Sequence, residues 1–180
     1  MPMQQLTIEQ IATPIGAVVI ISSPQGVVYL DFGDNQARCQ RLLSQRYGQF
    51  ALIPASQNLW ADAVASYFAG DLRALDVITV DLAGSEFQCK VWLALREIGV
   101  GQTMSYGELA AKVGTPSAAR AVGMTNGQNP ISLVLPCHRV IGANKSLTGY
   151  AGGLERKRWL LRHEGAQFKD TPAQASFELV

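Results

Sequence analysis

The chain has 180 residues, 48% hydrophobic and only 16% charged, against roughly 25% charged in an ordinary soluble domain. That balance excludes a disordered tail, a histone-like polycation and an acidic solvating segment, and leaves room for one good core or two small domains. Fifteen Lys and Arg against fourteen Asp and Glu give a net charge of +1, which taken alone argues against nucleic acid as a partner.

Met1-Pro2-Met3-Gln4-Gln5 has no basic region leading into an apolar stretch, so no signal peptide is expected. The apolar runs fall far short of the ~20 residues that span a bilayer, and no membrane contact is expected. Residues 11–21 and 26–32 are rich in Ile, Val and Tyr and are separated by Ser22-Ser23-Pro24-Gln25, which predicts a β-hairpin. The apolar spacing predicts amphipathic helices over 36–47 and 58–69, and residues 76–82 alternate like a strand. Residues 1–82 thus read as a small α+β domain with no His and no visible chemistry.

The texture changes at Ala83-Gly84. Ser85 with Gln88 forms a capping box that opens a helix through about Ile98, and Ser105 with Glu108 opens a second that ends at Gly114. Thr115 then reads as the N-cap of a third helix, with Pro116 at its first position. Asn126-Gly127 and Asn129-Pro130 read as the breaks that end it. Two short helices joined by Gly114-Thr115-Pro116 suit a helix-turn-helix, and also an ordinary helical corner packed in a core. A last helix runs from about Leu154 to His163-Glu164 and closes at Gly165, carrying Arg156, Lys157, Arg158 and Arg162. Residues 169–180 read as a polar, flexible tail.

The three cysteines, Cys39, Cys89 and Cys137, form no disulfide framework, and a reducing cytoplasmic location is expected. Cys137 differs from the others in being flanked by Pro136, His138 and Arg139. A thiol attacks as its thiolate, and a base nearby lowers that barrier. Neighbouring residues on an extended chain point to opposite faces, so a water is needed between Cys137 and His138. Glu164 offers a carboxylate to orient the imidazole. A buried, inert core thiol explains a Cys-His dipeptide equally well.

Pro136-Cys137-His138-Arg139-Val140 stands in order and spacing with Ser105-Tyr106-Gly107-Glu108-Leu109-Ala110, Ala118-Ala119-Arg120-Ala121-Val122-Gly123, Asn129-Pro130, Tyr150 with Gly152-Gly153, and Trp159-Leu160-Leu161-Arg162-His163-Glu164-Gly165. This set resembles the O6-alkylguanine-DNA alkyltransferases, also called methylated-DNA–protein-cysteine methyltransferases. The resemblance is strong over residues 85–165 and extends to Ile11-Ala12-Thr13-Pro14-Ile15-Gly16 and Tyr67-Phe68-Ala69-Gly70. It implies a ribonuclease H-like α+β domain over 1–82, followed over 83–168 by a mainly helical domain with a helix-turn-helix.

The resemblance further implies direct, irreversible, single-turnover transfer of an alkyl group from O6-alkylguanine, and from O4-alkylthymine, to Cys137. His138 would take the thiol proton through a water, Glu164 would orient it, Asn129 would brace the site, and Tyr106 would protonate the leaving guanine. Tyr150, the backbone of Ala151, and the carbonyls of Cys137 and Val140 would line the base pocket. Arg120 would fill the stack vacated by the flipped base. Ala118, Ala119, Ala121 and Gly123 would approach the minor groove closely, with Thr115 and Ser117 at phosphates. The implied partner is double-stranded DNA carrying the lesion, met by a monomer. No cofactor and no structural zinc are expected, because residues 1–82 hold one Cys and no His. Ala151 replaces a serine and Gly127 a basic residue found in some members. A sensor that flips alkylated bases without chemistry, and a Cys-His hydrolase, remain as alternatives.

The charges are unevenly spread. Residues 1–90 hold five Lys and Arg against eight Asp and Glu, a net of −3, and residues 91–180 hold ten against six, a net of +4. The span 103–168 holds eight against three, a net of +5, which supports DNA contact by the C-terminal half.

Overall fold

A computed structural model describes residues 2–170. Strand β1 (Gln4–Ile11) leads into a hairpin of β2 (Val18–Ser23) and β3 (Gly26–Phe32), then helix α1 (Gln36–Tyr47) and strand β4 (Phe50–Pro54). The sheet order is β3-β2-β1-β4, with β1 antiparallel to β2 and parallel to β4. Helix α2 (Leu59–Phe68) follows, its first turn capped by the buried Glu9 carboxylate, which accepts from Trp60 N and Ala61 N at 3.0 Å each. Helices α3 (Glu86–Leu95), α4 (Tyr106–Lys112), α5 (Ala119–Gly127) and α6 (Leu154–His163) build the second half. Two short strands, β5 (Met104–Ser105) and β6 (Val140–Ile141), pair in parallel within it. The fold is mixed α+β.

Helices α1 and α2 and both capping boxes stand where the sequence places them, whereas the hairpin's first strand begins only at Val18 and runs through Ser23. Strands β1 and β4 were not anticipated: β1 alternates Leu6 and Ile8 with Thr7 and Glu9, and β4, though apolar from Phe50 to Ile53, is five residues long and half exposed. The expected strand at 76–82 is a 3-10 turn over Ala74–Val77 and an extended stretch bridged to β3 at Val27–Val80. Two further corrections concern the helix-turn-helix. Thr115 caps nothing, because α5 begins at Ala119 behind a turn closed by Ala118 N to Thr115 O at 2.9 Å. Asn126-Gly127 lies inside α5, which yields only at Gln128. An Asn-Gly pair costs helix stability, but Trp92 Nε1, donating to Thr125 O at 2.8 Å, secures that last turn.

One apolar cluster joins β2 and β3 (Val18, Ile20, Leu30, Phe32), α2 (Val64, Tyr67), α3 (Val91, Trp92, Leu95), α4 (Leu109) and α6 (Leu160). It crosses the expected boundary after residue 82. A smaller cluster around Leu6, Ile21, Tyr29 and Leu43 fills the other face of the sheet under α1. The free edge of β3 is covered by backbone bonds: Val27 N to Thr79 O, Leu30 N to Pro130 O, and Ser132 N to Leu30 O. The segment that carries Cys137 therefore hangs directly on the N-terminal sheet. Of the expected tail, residues 171–180 lie outside the described residues. Lys169 N bonds Lys145 O, and Asp170 pairs with Arg158 and Arg162.

Candidate active site

Cys137 sits at the start of a single 3-10 turn, Cys137–Arg139, and is buried. The chain reaches it through a tight loop in which Leu133 takes a φ of +70°, a conformation that costs a branched residue roughly 1–2 kcal/mol. Asn129 holds that loop closed. Its Nδ2 donates to Leu135 O at 2.7 Å and its Oδ1 accepts from Ile131 N at 3.0 Å. The resemblance implies a bracing role for this residue. Asn126 Nδ2 reaches Cys137 O at 3.4 Å.

His138 is fully buried, and its Nε2 meets Glu164 Oε1 at 2.9 Å. Glu164 is ionised, so Nε2 carries the proton and the lone pair lies on Nδ1. Nδ1 is buried and has no partner among the described residues. Glu164 collects more than one donor. Oε1 also accepts from Tyr67 Oη at 2.8 Å and Arg139 Nη2 at 2.9 Å, and Oε2 accepts from Arg139 Nε at 2.9 Å. Arg139 Nη1 completes the cluster on Ile98 O.

The charge states follow from these contacts. Burial alone would raise the Glu164 carboxyl, but the bonds from His138 and Arg139 outweigh it and hold Glu164 well below the usual carboxylate range. Burial lowers the His138 imidazole against the upward pull of Glu164, so it rests neutral. Burial pushes the Cys137 thiol up, while the Asn129 side chain and the Lys157 charge pull it down. The resting thiol is therefore protonated, with a neutral base in the adjacent residue.

Lys157 is fully buried, and burial brings its pKa down to about 8. Its Nζ donates to Val140 O at 2.6 Å and Thr148 O at 2.7 Å. Of the two carbonyls expected to read guanine, that of Val140 thus accepts from Lys157 Nζ, and that of Cys137 already accepts from both Asn126 Nδ2 and Val140 N. Lys157, Arg139, Asn126 and Tyr67 escaped the sequence reading. Lys157 had a signal: it falls three residues after Leu154 and four before Leu161, on the apolar stripe of α6.

A cavity of about 630 Å³, which Cys137 does not itself line, is walled by Tyr106, Ala119, Arg120, Gly123, Thr148, Tyr150 and Ala151. Six of the predicted site residues meet there. Tyr106 Oη bonds Thr148 Oγ1 at 2.9 Å, and the Tyr150 hydroxyl is buried without a partner among the described residues. A second space of about 10 Å³ lies directly against Cys137 and is lined also by Asn129 and Ser132. That is about the room one water needs. Asn126, Gly127, Gly149, Tyr150 and Ala151 border both spaces. A Cβ on Gly152 would stand 2.9 Å from the Tyr150 ring and 3.1 Å from Phe32, so glycine is required for this loop to pack.

The exposed face of α5 carries Arg120, Ala121, Met124 and Gly127, whereas Gly123 faces the Tyr106 ring. Ser117 is exposed and Ala118 half-buried in the turn before it. Thr115 Oγ1 is buried, which does not suit a phosphate contact through its hydroxyl. Most of the +5 charge is also spent internally. Lys112 pairs with Glu97, Arg139 with Glu164, Arg156 with Asp34, and Arg158 and Arg162 with Asp170, while Lys157 is buried. Of the eight cations in that span, Arg120 and Lys145 are the exposed ones in no salt bridge among the described residues.

The model of the 6-O-methylguanine DNA methyltransferase DNA-binding domain matches residues 86–166. The methylated-DNA–protein-cysteine methyltransferase of Salmonella typhimurium is 47% identical over 167 residues, covering 91% of this chain and 98% of that one. The chain belongs to this family. Among solved methyltransferases, the O6-methylguanine methyltransferase of Mycobacterium tuberculosis superposes with a TM-score of 0.73 at 35% identity, covering 94% of this chain and 99% of that one. A structure of the Mycobacterium tuberculosis protein in complex with DNA superposes with a TM-score of 0.73 at 38% identity, covering 89% and 92%. The match to the methyltransferases takes in both halves, so the support that β3 and α2 give the site belongs to the same architecture.

Proposed function

We propose that this chain repairs double-stranded DNA by moving the alkyl group of O6-alkylguanine, and of O4-alkylthymine, onto Cys137. The observation that carries this is the buried run Cys137, His138, Glu164, with Cys137 parted only by Asn126, Gly127 and residues 149–151 from a cavity that Arg120 lines. The thiol proton passes through a water to His138 Nδ1 as the thiolate forms. Sγ then attacks the alkyl carbon, the Sγ–C bond forms, and the C–O6 bond breaks. The Tyr106 hydroxyl supplies the proton taken up by the leaving guanine. The thioether does not leave at neutral pH, so each molecule acts once.

The target base cannot meet Sγ inside a stacked duplex and must be flipped, at a cost of a few kcal/mol. The space against Cys137 is too small for a base, so residues 149–151, which separate it from the larger cavity, move as the base enters. Tyr150, the Ala151 backbone and the Cys137 and Val140 carbonyls receive the base, Asn126 Nδ2 giving up its 3.4 Å bond to Cys137 O. Arg120 fills the stack, and Ser117, Ala118, Ala119, Ala121 and Gly123 approach the minor groove, with Thr115 contributing backbone only. We assign the chemistry to residues 83–168, with 1–82 as its support, and place the protein as a cytoplasmic monomer. The three free cysteines support a reducing compartment.

The test is mass spectrometry after mixing with an O6-methylguanine duplex. A gain of one methyl on the Cys137 peptide is expected, and none from Cys137→Ala. An unmodified, folded protein would sink the proposal. Retained damage binding by that same unmodified protein would point to a sensor.

A further inference from the structure

Residues 1–82 hold one cysteine, Cys39, and no histidine, yet side chains from that half reach the site: Arg38 bonds Asn129 O, and Tyr67 bonds Glu164. Tyr67, in the last turn of α2, is fully buried and grips two successive residues at the end of α6. Its hydroxyl donates to Glu164 Oε1 at 2.8 Å, and its backbone carbonyl bonds His163 Nε2 at 2.8 Å. Its ring stands edge-on to His163 and Phe68, with centroids 5.1 and 5.2 Å away. A tyrosine serving only as core filler needs no acceptor chosen from the site. This one shares a single carboxylate oxygen with the imidazole of His138.

We propose that Tyr67 is a positioning residue for the transfer reaction, its hydroxyl setting how strongly Glu164 holds and polarises His138. This rests on the reading of His138 as the group that takes the thiol proton. The oxygen Oε1 has limited electron density to offer, and three donors draw on it: Tyr67 Oη, His138 Nε2 and Arg139 Nη2. Each donor that withdraws density leaves less to stabilise a positive imidazolium. Tyr67 therefore keeps His138 a weaker base, neutral at working pH and able to accept a proton only transiently. The other charged groups bearing on His138 are Arg139, from its own turn, and Lys157, from α6, both of which also disfavour the imidazolium. The Tyr67 hydroxyl itself stays protonated, because burial and then the Glu164 charge raise it far above its ordinary value. It acts as a permanent donor and never as a base.

Tyr67→Phe removes one oxygen and keeps the ring, the backbone bond and the aromatic contacts. Two measurements test it. The first is an imidazole NMR titration of the free protein, tractable because the chain has two histidines, His138 and His163. The second is the single-turnover rate of methyl transfer from an O6-methylguanine duplex across the acidic limb of the pH profile. In the variant, both the His138 titration and that limb are expected to move up by about half a pH unit or more. A His138 titration that does not move overturns the proposal. A titration that moves while the limb stays put overturns the link to transfer. If the unaltered protein transfers no methyl group, the proposed function fails, and the NMR arm still decides whether Tyr67 tunes His138.

Discussion

Glu164→Gln removes one negative charge from a place where three polar or cationic neighbours, Tyr67, His138 and Arg139, depend on it. Glu164 is 5% exposed, Arg139 7% and His138 0%, so water cannot substitute for the lost carboxylate. The amide oxygen can replace Oε1, but its NH2 then faces Arg139 Nε–H, donor against donor. Arg139 keeps its charge and loses its counter-charge. Breaking a buried pair in this way costs about 3–5 kcal/mol, which for a chain of this size lowers Tm by roughly 6–20 °C.

The cost depends on pH, and its sign is fixed. The Glu164 carboxyl titrates lower in the folded than in the unfolded chain, where it lies near ~4.3. Its contribution is therefore complete above that value and is lost as pH falls toward the folded one. Urea unfolding of both proteins at pH 7 and in steps below pH 4 checks this. A gap of several kcal/mol at pH 7, narrowing as pH drops, is expected. A gap under about 1 kcal/mol at pH 7 would mean that Glu164 is not the buried counter-charge of Arg139, and the description of the site would have to be abandoned.

Arg120→Ala should leave stability unchanged, weaken DNA binding and cut the salt slope by about 0.9. The unaltered protein should itself show a slope of only about −1 to −2, since so few cations are free; fluorescence anisotropy over a salt series giving −5 or steeper would contradict the pairing seen here. Lys157 loses its proton near pH 8 in the fold but near ~10.4 when unfolded. The unaltered protein should therefore gain stability over Lys157→Met as pH rises from 8 to 10; parallel unfolding curves at the two ends give the answer. Methylated Cys137 should melt several degrees lower than the free thiol. The space beside it is about 10 Å³, and overpacking costs about 1–3 kcal/mol. Calorimetry of protein before and after transfer, showing a higher Tm afterward, would reject that reasoning.

Much of the site was legible because its parts lie in short stretches of sequence. Cys137 and His138 are adjacent, Glu164 ends a helix closed by Gly165, and the capping boxes at Ser85 and Ser105 are local bonds that formed as read. The start of α5 was misread for an equally local reason: Thr115-Pro116 is a good cap, but the turn that Ala118 closes on Thr115 delays the helix. Strand β1 was missed because what makes it a strand is pairing on both sides, with β2 and with β4.

The sequence by itself determined the candidate reacting side chains, most of the helices and the family. Only the tertiary structure decided what each charge faces. The +5 of residues 103–168 suggested a basic DNA surface, but most of those cations end on carboxylates or carbonyls, and Arg156 pairs with Asp34 from the other half. The same holds for Tyr67 and Glu164, 97 residues apart in the chain and 2.8 Å apart in space. A count of charges carries no information about which of them reaches water, because burial and pairing are fixed by partners that only folding brings together.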